Sequence, residues 1–419
     1  MPRVSCWLLL LVLAVPGAAW AQGGTPVGPE FRVNTYTTGY QDTASVAADP
    51  AGNFVVVWDG QRVDDPITGI FGQRFSISGV PLGPEFRVNT ATTDLQVNPS
   101  VAIVGASGFV VAWASSGGYG GAPADVFAQR FAGDGSPVGP EFRVNTYTTG
   151  SQSVPSVAGS PTGDFVVVWG GEGAGDPGGG VFGQRFAASG APLGPEFRVN
   201  TYTTDLQFAP SVGADASGYF VVAWSSGGYG STPADVLAQR FVSDGTPLGP
   251  EFRVNTYTTY GQYRPAVAAT AGSFIIVWDG SGLNDTSGVF GQRFFSTGAP
   301  QGPEFRANTV TADFQITPSL AADAVGNFVV AWTSNAGYGG APPDIFGQRF
   351  MSDGTPAGTE FAIATYTTNG QDRTAVAATP EGSFVIVWDS LGQDGDATGV
   401  FGQRYNAIVP VELMRFGVD

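Results

Sequence analysis

Three tyrosines occupy matching places in Gly-rich stretches: Tyr119 in "ASSGGYGGAPAD", Tyr229 in "SSGGYGSTPAD" and Tyr338 in "TSNAGYGGAPPD". An aromatic ring at a loop tip can stack on a sugar ring or on a protein side chain. A second set of residues is charged and irregular, with Arg62 and Asp64 in "DGQRVDDPITG" and Asp372 and Arg373 in "NGQDRTAV". Two carboxylates at a suitable separation, helped by an arginine, can carry acid–base work on a glycosidic bond. Asp64, Asp372 and Arg373 are the set that would do it here. Asp394 and Asp396, in "LGQDGDATG", resemble part of an acidic calcium loop but lack its other oxygen ligands and its closing Glu. No cofactor is expected, and calcium at this pair is the one metal left open.

Composition removes several other chemistries. There is no His in the chain, so the usual general base near neutral pH and the commonest metal ligand are missing. Ser-His-Asp catalysis and His-ligated zinc are excluded. The balance of 35 acidic against 18 basic residues gives a net charge of -17, which argues against a nucleic-acid partner. The single cysteine, Cys6, lies in an N-terminal segment with an apolar run to Val15 and an A-x-A-like end at Ala19–Ala21. That segment reads as a secretory signal peptide, residues 1–21, too short to span a bilayer. Cleavage after Ala21 would leave a secreted or surface-exposed protein without a thiol. No other stretch is apolar for long enough to cross a membrane as a helix.

The elements that must position these residues are repeats. "GPEFRVNT" stands at residues 28, 83, 139, 194 and 249, becomes "GPEFRANT" at 302 and "GTEFAIAT" at 358. The spacings are 55, 56, 55, 55, 53 and 56. Trp58, Trp113, Trp169, Trp224, Trp278, Trp332 and Trp388 each close an "FVVVW"-like run, and "VFGQRF" variants end at Phe75, Phe131, Phe186, Phe241, Phe294, Phe350 and Tyr405.

Each period reads as four short strands. "SVAAD" from Ser45 is small and apolar, and "FVVVW" is a continuous apolar run suited to a strand covered on both faces. A longer polar loop leads to "IFGQRF", and a Gly/Pro turn leads to "EFRVNT", where Phe86 and Val88 alternate with Glu85, Arg87 and Asn89. Four antiparallel strands per period point to a propeller blade, with the small-residue strand innermost. The predicted fold is therefore an all-β, seven-bladed β-propeller over residues 22–407, followed by an extended tail, residues 408–419. The last repeat has no "EFRVNT" after it. The copy at Glu30–Thr35 supplies that strand, so the N-terminus completes the last blade and no open edge remains.

Repeats of the form "GxFVVVW…GVFGQRF…G.PLG.EFRVNT" resemble a family of secreted or surface bacterial β-propeller repeats. The resemblance covers about Gly24 to Ala407 and implies an extracellular propeller-like module. It implies no catalytic residues. Many such repeats have a Gly/Asp-rich loop after the Trp, and here only Leu391–Gly399 has that form.

Residues repeated in every blade are read as structural. Glu30, Glu85 and their equivalents are expected to pair with Arg74, Arg130 and theirs across outer strands. The tryptophans are expected to pack between blades, and the recurring Gln41, Gln96, Gln152, Gln207, Gln262, Gln315 and Gln371 to satisfy loop backbone. Function belongs in the longer connections of one face. Asp59, Asp279 and Asp389 follow a Trp there, and the junction of blades 7 and 1 joins two blades of like type. The expected function is a non-enzymatic, monomeric recognition or display module for a glycan or an extracellular protein. Its candidate ligand-binding residues are Tyr119, Tyr229, Tyr338, Arg62, Asp64 and Arg373. The alternatives are a carboxylate-based glycosidase or lyase and a purely structural surface protein.

Overall fold

A computed structural model of the chain describes residues 25–62, 65–116, 123–173, 175–227, 233–282, 285–311, 314–335 and 344–407. Tyr119, Tyr229, Tyr338, Asp64, the leader and the 408–419 tail lie outside the described residues. The described chain forms seven four-stranded antiparallel sheets, so the fold is the all-β, seven-bladed propeller that the repeats predict. Blade 1 runs Gln41–Ala48, Phe54–Arg62, Asp65–Phe75 and Phe86–Arg87. Each blade's first strand touches the first strands of both neighbouring blades, which places these strands around the central axis. No helix among the described residues is long and apolar enough to cross a membrane.

Blade 7 is built from both ends of the chain. Its strands Gln371–Ala378, Phe384–Leu391 and Thr398–Tyr405 are completed by Phe31–Arg32, with Phe31 opposite Gly402 and Arg32 opposite Phe401. Pro26 bridges to Tyr405 just as Pro81 bridges to Phe75 within blade 1. Gly402 is required for this fit, because a Cβ there would lie 2.8 Å from the Phe31 ring. The closing strand thus packs like any other fourth strand.

The tryptophans pack between blades as expected. Trp113 of blade 2 is fully buried against Val55, Val57, Ile70 and Val88 of blade 1, and Trp58 of blade 1 is buried with Val385, Val387 and Val400 of blade 7. The recurring glutamines do more than serve the backbone. Gln41 Oε1 accepts the Trp58 indole N–H at 3.0 Å while its amide donates to the Gln61 carbonyl. The same indole–glutamine bond recurs at Trp224 and Gln207. A buried indole donor is thereby satisfied from the strand beside the axis.

Three readings are corrected. Glu and Arg of the outer strands do not pair with each other. Glu85 Oε2 accepts the N–H and hydroxyl of Thr35 in blade 7, and Arg74 donates to the Gly133 carbonyl in blade 2. Each side chain serves the backbone of a different neighbour, so the ring is clasped in both directions. Asn89, which alternation with Phe86 and Val88 would put on a solvent-facing side, is buried, because its Oδ1 accepts the Ile70 N–H and so ends the two-residue fourth strand. The loop expected after Trp58 is largely strand, since Phe54–Arg62 and Asp65–Phe75 stay paired out to Arg62 and Asp65.

Candidate functional site

Every first strand is interrupted near its start by a bulge, and at each bulge stands a non-glycine residue with positive φ. These are Thr43, Asn98, Val154, Ala209, Arg264, Thr317 and Arg373, with φ between 50° and 55°. Left-handed backbone at a β-branched or long side chain costs on the order of 1–3 kcal/mol and needs support from its surroundings. That support comes from the residue after the Trp of the preceding blade. Thr43 N–H donates to Asp389 Oδ2 at 2.9 Å, Asn98 N–H to Asp59 Oδ2 at 2.8 Å and Arg264 N–H to Ser225 Oγ at 3.0 Å. Arg373 N–H donates to Thr333 Oγ1 at 3.2 Å, and Thr317 N–H to the Asp279 carboxylate. In blades 2 and 3 the same place holds Ala114 and Gly170, which have no side-chain acceptor.

The seven bulges form a ring at the end of the axis from which the longer connections leave. Its composition is uneven. Val154 and Ala209 are apolar, whereas Arg264, Thr317, Arg373, Thr43 and Asn98 make a continuous polar arc through blades 5, 6, 7, 1 and 2. Phe208 and Tyr263, each just before a bulge residue, place their rings 6.5 Å apart.

The charged centre of this arc is the junction of blades 7 and 1. Asp42 lies opposite Asp59 across two strands of blade 1, and Asp372 lies opposite Asp389 in blade 7. Directly opposed like charges are unfavourable in a sheet. Arg373 answers part of that charge: its Nη1 is 3.5 Å from Asp42 Oδ2, 3.8 Å from Asp389 Oδ2 and 3.1 Å from Thr43 Oγ1. Its side chain remains 52% exposed. In blade 5 the same geometry recurs, with Arg264 Nε 3.1 Å from Asp279 Oδ1.

Burial holds these acids protonated more readily than usual. The Asp389 carboxyl is pushed well above the ordinary carboxylate range by burial and then by the charge of Asp42. Asp59 is raised in the same way by burial, by a hydrogen bond with Asp42 and by its charge. Burial pushes Asp279 up to about 7, against the pull of Arg264. The junction of blades 7 and 1 therefore brings together buried carboxyls held toward their protonated form and a half-exposed guanidinium.

The other predicted residues fall elsewhere. Arg62 pairs with Glu85 and lies 4.1 Å over the Phe71 ring, on the outer side of blade 1 and away from Arg373. Asp394 accepts from the Asn34 amide at 3.2 Å and Asp396 from the Gly39 N–H at 3.0 Å, so both carboxylates tie blade 7 to the N-terminal segment. Among the described residues no group of three or more acidic, His or Cys side chains is arranged to hold a metal ion. Asp42, Thr43 and Arg264 were missed by sequence reasoning. The signal for them was their place one or two residues after each recurring Gln.

No protein-family model matches the chain, and no curated protein does. Solved structures do resemble it. A protein of unknown function from Dyadobacter fermentans is 11% identical, with 92% of this chain and 99% of that one covered and a TM-score of 0.51. The endosialidase of phage phi92 is 10% identical, with 92% and 70% covered and a TM-score of 0.51. Likeness at this identity is likeness of fold, and these comparisons place the chain among propellers.

Proposed function

We propose that the protein is a secreted or surface-exposed recognition module that binds a glycan or an extracellular protein on its longer-loop face, without turnover. The observation that carries this reading is the axial mouth at the junction of blades 7 and 1. There Arg373 is half exposed yet held in place by Asp42, Asp389 and Thr43. A positioned donor beside carboxylate acceptors suits a hydroxyl-rich ligand, and aromatic rings on the same ring of bulges offer apolar contact. In sequence, Tyr119, Tyr229 and Tyr338 fall between the second and third strands of blades 2, 4 and 6. The net charge of -17 disfavours a nucleic-acid partner, and a monomer suffices because the ring closes within one chain. A glycan array probed with residues 22–419 tests the reading, with Tyr119, Tyr229 and Tyr338 changed together to Ala as the comparison. The reading expects array binding by the parent and much weaker binding by the triple variant, at an unchanged thermal midpoint.

A carboxylate-based glycosidase or lyase is the second reading, and one observation favours it. Asp59 and Asp42 are hydrogen-bonded carboxyls, with Asp59 held toward its protonated form. A carboxyl held toward its protonated form is the kind of general acid that glycoside hydrolysis uses. Release of reducing ends from a polysaccharide panel, lost in Asp59→Asn, would move the protein into that class.

A further inference from the structure

The opposite face of the ring, where the short turns lie, has clefts between neighbouring blades. At the junctions of blades 3 and 4, 7 and 1, and 1 and 2 these clefts measure about 250, 130 and 220 Å³. Between blades 4 and 5 the cleft measures about 520 Å³. That is within the range of about 300–1,000 Å³ typical of small-ligand sites.

The extra space has a cause in the sequence. In blade 4 the first two strands pair up to Ala214 and Phe220, leaving a five-residue turn, Asp215–Tyr219. In blade 5 pairing continues to Thr270 and Ser273, so the turn shrinks to Ala271–Gly272. In the longer turns a glycine abuts the chain leaving the third strand. A Cβ on Gly52 would meet Ile77 at 2.5 Å, on Gly163 would meet Ala188 at 2.8 Å, and on Gly218 would meet Ser243 at 3.1 Å. A Cβ on Gly272 would meet nothing within 4 Å. The shortened hairpin leaves that space open.

The lining of this cleft is particular too. Tyr219 stands at its rim, 46% exposed, where other blades have Asn53, Asp164 or Asn327. Its turn is fixed, because Asp215 Oδ1 accepts the N–H groups of Ser217 and Tyr219 at 2.8 and 3.1 Å. Leu248, 37% exposed, adds a second apolar surface. The polar lining is hydroxyls, including Thr270, Ser273 and Thr297, together with Arg240, whose Nη1 is spent on the Ser296 carbonyl at 2.7 Å. Arg240 Nε is buried and has no hydrogen-bond partner among the described residues.

We infer that this cleft is a saccharide subsite for one or two uncharged sugar rings, with Tyr219 as the stacking platform. A sugar ring has an apolar C–H face for an aromatic ring and a hydroxyl edge for the Ser, Thr and Arg lining. One Asp and one Arg balance, so no net charge selects an ionic ligand. This site is independent of the axial mouth and lies on the other face.

The test uses residues 22–419 and four neutral probes at millimolar concentration: cellobiose, maltose, lactose and diacetylchitobiose. Saturation-transfer NMR and calorimetry report binding. Tyr219→Asn should weaken binding of the responding probe about fivefold to tenfold, the loss of one aromatic contact. Replacing Thr270–Ser273 by the longer turn of blade 6, Asp323–Asn327, should abolish it at an unchanged thermal midpoint, while Arg373→Ala should leave it intact. Silence from all four probes on the parent protein overturns the inference. So does binding that survives both the Tyr219→Asn change and the turn replacement. If that surviving signal is lost in Arg373→Ala, the sugar belongs to the axial mouth and only the cleft assignment fails.

Discussion

Asp389 of blade 7 accepts the backbone N–H of Thr43 of blade 1 at 2.9 Å, across the junction where the two ends of the chain meet. Thr43 has φ 55°, so the bond supports a backbone conformation that a β-branched residue rarely takes. Asp389→Ala should therefore cost about 1–3 kcal/mol, the usual penalty for orphaning a buried donor. Asp389→Asn keeps an acceptor and cannot ionise in this buried place, so it should match or exceed the parent near neutral pH. Urea unfolding of the two variants checks this. Equal losses in both would mean that the charge, not the acceptor, supports the junction.

The raised acids set the direction of the pH dependence. Asp279, at about 7 when folded against an ordinary 3.8, binds more protons folded than unfolded between those values. Its stabilising contribution is full below about 3.8 and is lost as pH rises through about 7. Asp59 and Asp389 act in the same direction. The thermal midpoint should fall from pH 5 to pH 8, and Asp279→Asn should flatten part of that slope. A midpoint that rises over this interval would show that these carboxyls are ionised in the fold.

Much of this architecture was legible because repeat spacing is written in the covalent chain. The orphan "GPEFRVNT" at Gly28 could only be the fourth strand missing after Tyr405, and Phe31 pairs there. The bulges were not legible. Nothing about Thr43, Arg264 or Arg373 marks a left-handed residue, and their acceptors come from the preceding blade, as Asp59 does for Asn98 from 39 positions away. Opposite charges suggested a Glu–Arg pair. Yet Glu85 and Arg74 bond to backbone of blades 7 and 2, a choice set by ring geometry that strand periodicity does not encode. For the site, Arg373 was singled out by its irregular charge, but its partner Asp42 became visible only once blade 7 met blade 1.

Ring closure predicts a large effect from a small deletion. Removing Gly23–Thr38 takes away Phe31 and Arg32 and exposes the Thr398–Tyr405 strand as an edge. Such an edge templates pairing with other chains. Light scattering should report aggregation, and unfolding should lose cooperativity. A monodisperse protein with the parent midpoint would mean that the ring closes by other contacts.

Asp394 and Asp396 are already occupied by Asn34 and Gly39. A chelator should therefore leave the thermal midpoint unchanged, and added calcium should not raise it, since only an ion bound to the folded state would shift it. A midpoint that rises with calcium and falls with chelator would assign these carboxylates to a metal.

Recognition at the axial mouth is tested most directly by Arg373→Ala on the same glycan array. The side chain is half exposed and buries little apolar surface, so the variant should stay folded with a midpoint near that of the parent. Binding to the parent's glycans should be lost or greatly reduced. Undiminished binding by a folded Arg373→Ala protein would contradict a ligand site at the junction of blades 7 and 1.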